Sequence, residues 1–140
     1  MKKPNVLHLL GKLEAFVFRI PVIGEPLLRG VVRSLGRLFF YLPYFGSREY
    51  HTVGELKSAW LAFVNRFGIF PTVTSEDEQE FRWFIGACAY GFTCSRDKGV
   101  CDAMMDLDRT YIRLMGGELE IVDRIPLGAE VCRFVTRLRV

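Results

Sequence analysis

The four thiols of this 140-residue chain are Cys88, Cys94, Cys101 and Cys132. A thiol can serve as a nucleophile or as a soft metal ligand, and either role needs a neighbour that governs its proton. Cys101 opens a stretch of helical periodicity over residues 100–115, closed by Gly116-Gly117. Cys101 and Asp108 fall two turns apart on one side of that helix, in a stripe with Met105, Ile112 and Met115. An acid beside a thiol on a half-apolar face is more than packing requires. Further on, Cys132, Phe134, Thr136 and Leu138 share one face of an alternating segment, and Cys88 ends an earlier one just before a loop. A cavity between a sheet and the 100–115 helix would gather Cys88, Cys101, Asp108 and Cys132. The competing reading is packing, because a free Cys behaves as a small hydrophobe and is often buried. The spacing Cys-x5-Cys-x6-Cys with a distant fourth is not that of a zinc knuckle.

These residues need elements to hold them. Residues 5–19 have the period of an amphipathic helix, with Val6, Leu9, Leu10, Leu13, Phe16 and Val17 on one side and Pro21 ending it. Pro26 suits the first turn of a second helix over 26–41. Its apolar face is Leu27, Leu28, Val31, Leu35, Leu38 and Phe39, and Arg29, Arg33 and Arg37 form a positive stripe. Thr52-Val53-Gly54-Glu55 fits a capping box for a third helix over 53–67, stopped by Gly68. Residues 69–74, with Pro71, read as an edge strand, 75–79 as an acidic turn and 80–90 as an alternating strand. On the 100–115 helix, Val100, Ala103, Met104, Leu107 and Leu114 form the core stripe, with Asp102, Asp106, Arg109 and Arg113 as a charged face. Residues 118–125 and 130–139 read as a hairpin around Pro126-Leu127-Gly128-Ala129. The expected fold is α+β, in the order α-α-α-β-β-α-β-β, as a single domain. It has a basic helical segment at 1–50 and an α+β core at 51–140.

Composition narrows the function. Half the residues are apolar, which argues against disorder, and no run is long enough to span a membrane. Met1-Lys2-Lys3-Pro4 with Val6–Leu10 resembles a secretory start, but His8, Gly11, Lys12 and Glu14 break the apolar run and no cleavage site follows. A cytoplasmic chain with reduced thiols is expected. Residues 1–50 carry eight Lys and Arg against three acids, and residues 51–140 eleven against thirteen. The basic half, rich in Leu, Val and Phe, suits a peripheral membrane surface or a protein groove better than a duplex, so no nucleic acid is expected. Its exposed apolar surface could pair two copies into a homodimer. His8 and His51 have no acid or Cys at motif spacing, and GxGxxG, GxxxxGK[ST], HExxH and GxSxG are all absent.

Cys88-Ala89-Tyr90, Val100-Cys101-Asp102 with Asp108, and Gly128-Ala129-Glu130-Val131-Cys132-Arg133-Phe134 together resemble motifs of the L-2-amino-thiazoline-4-carboxylic acid hydrolase-like proteins. The resemblance covers the last fifty to sixty residues; Ala89 replaces the family's common Pro, and Arg133 its common acid. It implies hydrolytic opening of a C–N bond in a cyclic amidine. Cys88 or Cys101 would then be nucleophile or metal ligand, Asp108 would activate water, and Arg124 would hold a substrate carboxylate. Tyr90, Cys132 and Phe134 would complete the substrate site; whether a divalent metal takes part is open, with Cys88, Cys101 and Cys132 as its candidate ligands. The same layout is similar to the 4-vinyl reductase-type domains, which implies a small-molecule or metal sensor without catalysis.

Overall fold

The computed structural model describes residues 6–139. The Met1–Pro4 segment and the first residue of the expected N-terminal helix lie outside the described residues. Four helices and a four-stranded antiparallel sheet follow the expected order: α1 Val6–Phe18, α2 Gly24–Tyr41, α3 Val53–Asn65, β1 Thr72–Glu76, β2 Glu80–Ile85, α4 Lys98–Leu114, β3 Gly117–Asp123 and β4 Cys132–Leu138. The fold is α+β.

The strands run in the order β1-β2-β4-β3, so the C-terminal strand is central and the segment with Pro71 leads into an edge. Alternation decides which side chains face the helices. Phe81 and Trp83 of β2 and Phe134 and Thr136 of β4 are buried on the inner face. The Trp83 and Phe134 rings stack at 4.1 Å, and Trp83 Nε1 donates to Thr136 Oγ1 at 3.0 Å. The outer face is charged, with Arg137 bonded to Glu80 at 2.9 Å and Arg133 to Asp123 at 2.8 Å. Above the sheet, Trp60 and Phe63 of α3 pack on Tyr111 of α4, with Phe63 and Tyr111 stacked at 3.9 Å.

Several boundaries and faces differ from expectation, each for a physical reason. The second strand ends at Ile85, because residues 86–90 leave the ladder and turn under α1. Ser75 and Glu76 belong to β1, and the turn is drawn in at Asp77, whose Oδ1 accepts from the Gln79 and Glu80 backbones. Thr52 caps α3 by accepting from Glu55 N at 3.3 Å; the Glu55 carboxylate bonds to the Thr52 hydroxyl.

In α1 the packed side is not the apolar one. Val6, Leu9, Leu13 and Phe16 of the apolar side are exposed; Gly11 and Glu14 are the buried positions. A Cβ at Gly11 would overlap Tyr90 O, so this glycine lets α1 lie directly on the backbone of the loop after β2. Helix α2 crosses α4 as closely: a Cβ at Gly36 would stand 2.8 Å from Leu107 O. The buried face of α2 is accordingly Leu28, Val32 and Gly36, with Leu27, Val31 and Leu38 exposed.

Candidate functional site

Helix α4 carries charges on one side and thiol, acid and methionine on the other, and the two sides do different work. On the charged side, Asp102 accepts from Arg29 at 3.0 Å, Arg109 at 3.1 Å and Arg124 at 2.9 Å. The buried Asp106 pairs with Arg33 at 2.7 Å, Arg109 at 3.0 Å and Arg29 at 3.2 Å. Burial works to raise the Asp102 carboxyl, but the hydrogen bonds from Arg29, Arg109 and Arg124 outweigh it and hold the group down at about 2. Two expectations are corrected here. Arg29 and Arg33 do not form a free positive stripe; they clamp α2 to α4. Arg124 is committed to Asp102 and does not line the cavity described below.

On the other side, Cys88, Cys101, Asp108 and Cys132 come together in the wall of one cavity of about 70 Å³ between the sheet and α4. Tyr90 and Phe134 also line it. Cys132 enters from β4, its sulfur accepting from Ile125 N at 3.3 Å, and Cys88 enters from the turn after β2. Cys94 is exposed beside Asp97 at 3.4 Å and lies away from this group. The remaining wall is apolar, with Trp60, Trp83, Phe92 and Met104 prominent.

Cys101 and Cys132 do not resemble activated nucleophiles. Burial, with smaller contributions from Cys88 and Cys132, pushes the Cys101 thiol up to about 12, and burial raises Cys132 in the same direction. Low-pKa thiolates arise beside positive groups or helix N-termini, and apolar burial does the reverse. The expected metal set is also corrected: among the described residues no three His, Cys, Asp or Glu side chains are grouped to hold an ion.

A second cavity, of about 110 Å³, lies between α1, α2, α3 and α4. Val64, Ile69, Tyr90, Met104 and Asp108 line both cavities and form the wall between them. Each alone is smaller than the roughly 150 Å³ apolar cavity that takes up a benzene ring. Glu14 lines the second cavity and is 7% exposed. Its Oε2 and Trp60 Nε1 are buried polar atoms with no partner among the described residues. Buried polar groups are rarely left unpaired, and each such atom in a cavity wall is a contact available to a guest. Burial pushes the Glu14 carboxyl up to about 7, and it does the same to Asp108 against the pull of neighbouring Arg109.

Sequence reasoning passed over Glu14, Trp60, Trp83, Phe92 and Met104 as site residues. For Glu14 there was a signal. Gly11, Glu14, Ala15 and Phe18 recur at helical spacing, and the small Gly11 and Ala15 among them suit a face that packs closely on backbone.

No protein-family model matches the chain, and neither does any curated protein. Its fold is found among solved structures. One is a trafficking protein particle complex subunit 3 from Naegleria fowleri, covalently bound to palmitic acid. It is 14% identical with a TM-score of 0.65, over 99% of this chain and 98% of that one. Another is the phenol-responsive sensory domain of the transcription activator PoxR with phenol. It is 14% identical with a TM-score of 0.59, over 94% of this chain and 74% of that one. At this identity the likeness is one of fold. No helix among the described residues is long and apolar enough to cross a membrane.

Proposed function

We propose that this chain is a non-catalytic binding domain that takes up a small, largely apolar molecule between its sheet and its helices. The observation that carries the reading is the pair of cavities sharing Met104, Tyr90 and Asp108, walled by aromatic and aliphatic side chains. Uptake of phenol by one structure of this fold and of palmitic acid by another supports it by analogy of architecture. Trp60 and Trp83, the two tryptophans of the chain, both line the first cavity and report on its contents. Titration with naphthalene or 2-phenylethanol should change their fluorescence saturably, and native mass spectrometry should find one molecule per chain. Met104→Phe, which fills space in both cavities, should weaken binding at least about tenfold, the equivalent of losing about 1.4 kcal/mol. Absence of saturable binding to the unmodified protein, or equal binding by Met104→Phe, would remove the reading.

Hydrolysis of a cyclic amidine is the second reading, favoured by the meeting of Cys88, Cys101 and Asp108 in one wall. It requires a thiolate, and the raised Cys101 thiol works against it. Turnover of 2-amino-thiazoline-4-carboxylate that is lost in Cys88→Ala or Cys101→Ala would restore it.

A further inference from the structure

We propose that the molecule held in these cavities carries a basic amine on its apolar body, received between Glu14 and Asp108. The proposal rests on the reading of the cavities as a ligand site and adds the chemical class of the ligand.

Three observations lead to it. First, no Lys, Arg or His lines either cavity, whereas two acids do. An anionic head, such as a free fatty carboxylate, would meet no counter-charge there and two groups of its own sign. Second, both acids lack protein partners. Glu14 Oε2 is buried without a hydrogen bond, and Asp108 has neither a hydrogen bond nor an ion pair among the described residues. This contrasts with Asp102 and Asp106 on the same helix, which are bridged by arginines. An alkylammonium entering the second cavity would supply the missing donors and charge together, and charge-assisted hydrogen bonds are the stronger kind. Third, Tyr90, Phe39 and Phe63 present rings around the same space, and ring faces attract cations.

Protonation makes the site adaptable. With both carboxyls pushed up to about 7 by burial, each is only about half ionised near neutrality, and an arriving ammonium draws them into the ionised form. The groups facing them are few. Asp108 has Arg109 beside it, with Tyr90, Cys88 and Cys101 nearby, and Glu14 has Tyr90. The walls from α2, α3 and the turn after α3 are Leu35, Phe39, Phe63, Val64 and Phe67, none of them titratable.

The test compares three near-isosteric probes, 2-phenylethylamine, 2-phenylethanol and phenylacetate, by calorimetry on the full chain. The amine should bind at least about tenfold tighter than the alcohol, with phenylacetate weakest. The amine-to-alcohol ratio should rise severalfold between about pH 5 and about pH 8, as the acids ionise while the amine stays cationic. In Glu14→Gln/Asp108→Asn the ratio should fall to near one. Glu14→Gln alone should lower it partway, and is read instead if near-ultraviolet circular dichroism shows the double variant unfolded. An alcohol that binds as well as the amine, or a preference that survives in the variants, overturns the amine proposal and leaves the binding reading standing. If none of the three binds, both fall.

Discussion

Replacing Glu14 by glutamine removes a charge that folding forces into apolar surroundings, and the consequence for stability depends on pH. In the unfolded chain the carboxyl loses its proton near its ordinary value of 4.5; in the folded protein it holds the proton up to about 7. Between those values the folded form binds a proton that the unfolded form has released. Stability therefore falls as pH rises through this window and stays low above it. At about 1.4 kcal/mol per unit, the cost at about pH 8 is about 3 kcal/mol. Glutamine keeps the shape and cannot ionise. Urea unfolding of both proteins at about pH 4 and about pH 8 should show the unmodified protein losing about 2–3 kcal/mol more than Glu14→Gln over that range, with equal m-values. Asp108 is shifted in the same direction, so some slope should persist in the variant. Parallel stability curves would show that Glu14 is solvated in the folded state, and would refute the buried-acid reasoning together with the amine site built on it.

Other outcomes follow from the same structure. Gly11→Ala places a methyl against Tyr90 O; α1 must lift, and a loss of about 1–2 kcal/mol is expected in urea unfolding despite the better helix propensity of alanine. Asp106→Asn leaves Arg29, Arg33 and Arg109 short of their buried counter-charge, and should cost about 2 kcal/mol, measured by thermal unfolding. The Asp102 carboxyl, held at about 2, works in the opposite sense to Glu14: its stabilisation is present above about pH 4 and is lost as pH falls toward 2. Asp102→Asn should accordingly flatten the acid limb of the stability curve. In a native thiol titration near pH 8, Cys94 should react first and Cys101 should wait for unfolding, which peptide mapping of the labelled cysteines checks.

Much of the fold was legible because local rules and tertiary demands agree. The Thr52 cap, the Gly116-Gly117 stop after α4 and the proline-marked turn before β4 act through a few neighbouring residues. Alternation on β4 placed Cys132, Phe134 and Thr136 on the buried face, and the two-turn spacing on α4 set Cys101 and Asp108 side by side toward the cavity. The end of β2 and the buried face of α1 were not legible. Large apolar residues dominate a hydrophobic pattern, whereas α1 packs through Gly11, where missing bulk is the useful property.

The sequence by itself determined the α+β order, the strand faces and the thiol-and-acid stripe of α4, because each follows from periodicity along one continuous segment. Only tertiary structure decided what those groups became. It joined arginines of α2 to aspartates about seventy positions away, turning an apparent surface stripe into a clamp. It also brought a carboxyl of α1 and one of α4 to the wall of one apolar space. Periodicity carries no information about distances between segments. The charge state of an acid depends on what the rest of the chain brings beside it, or leaves out.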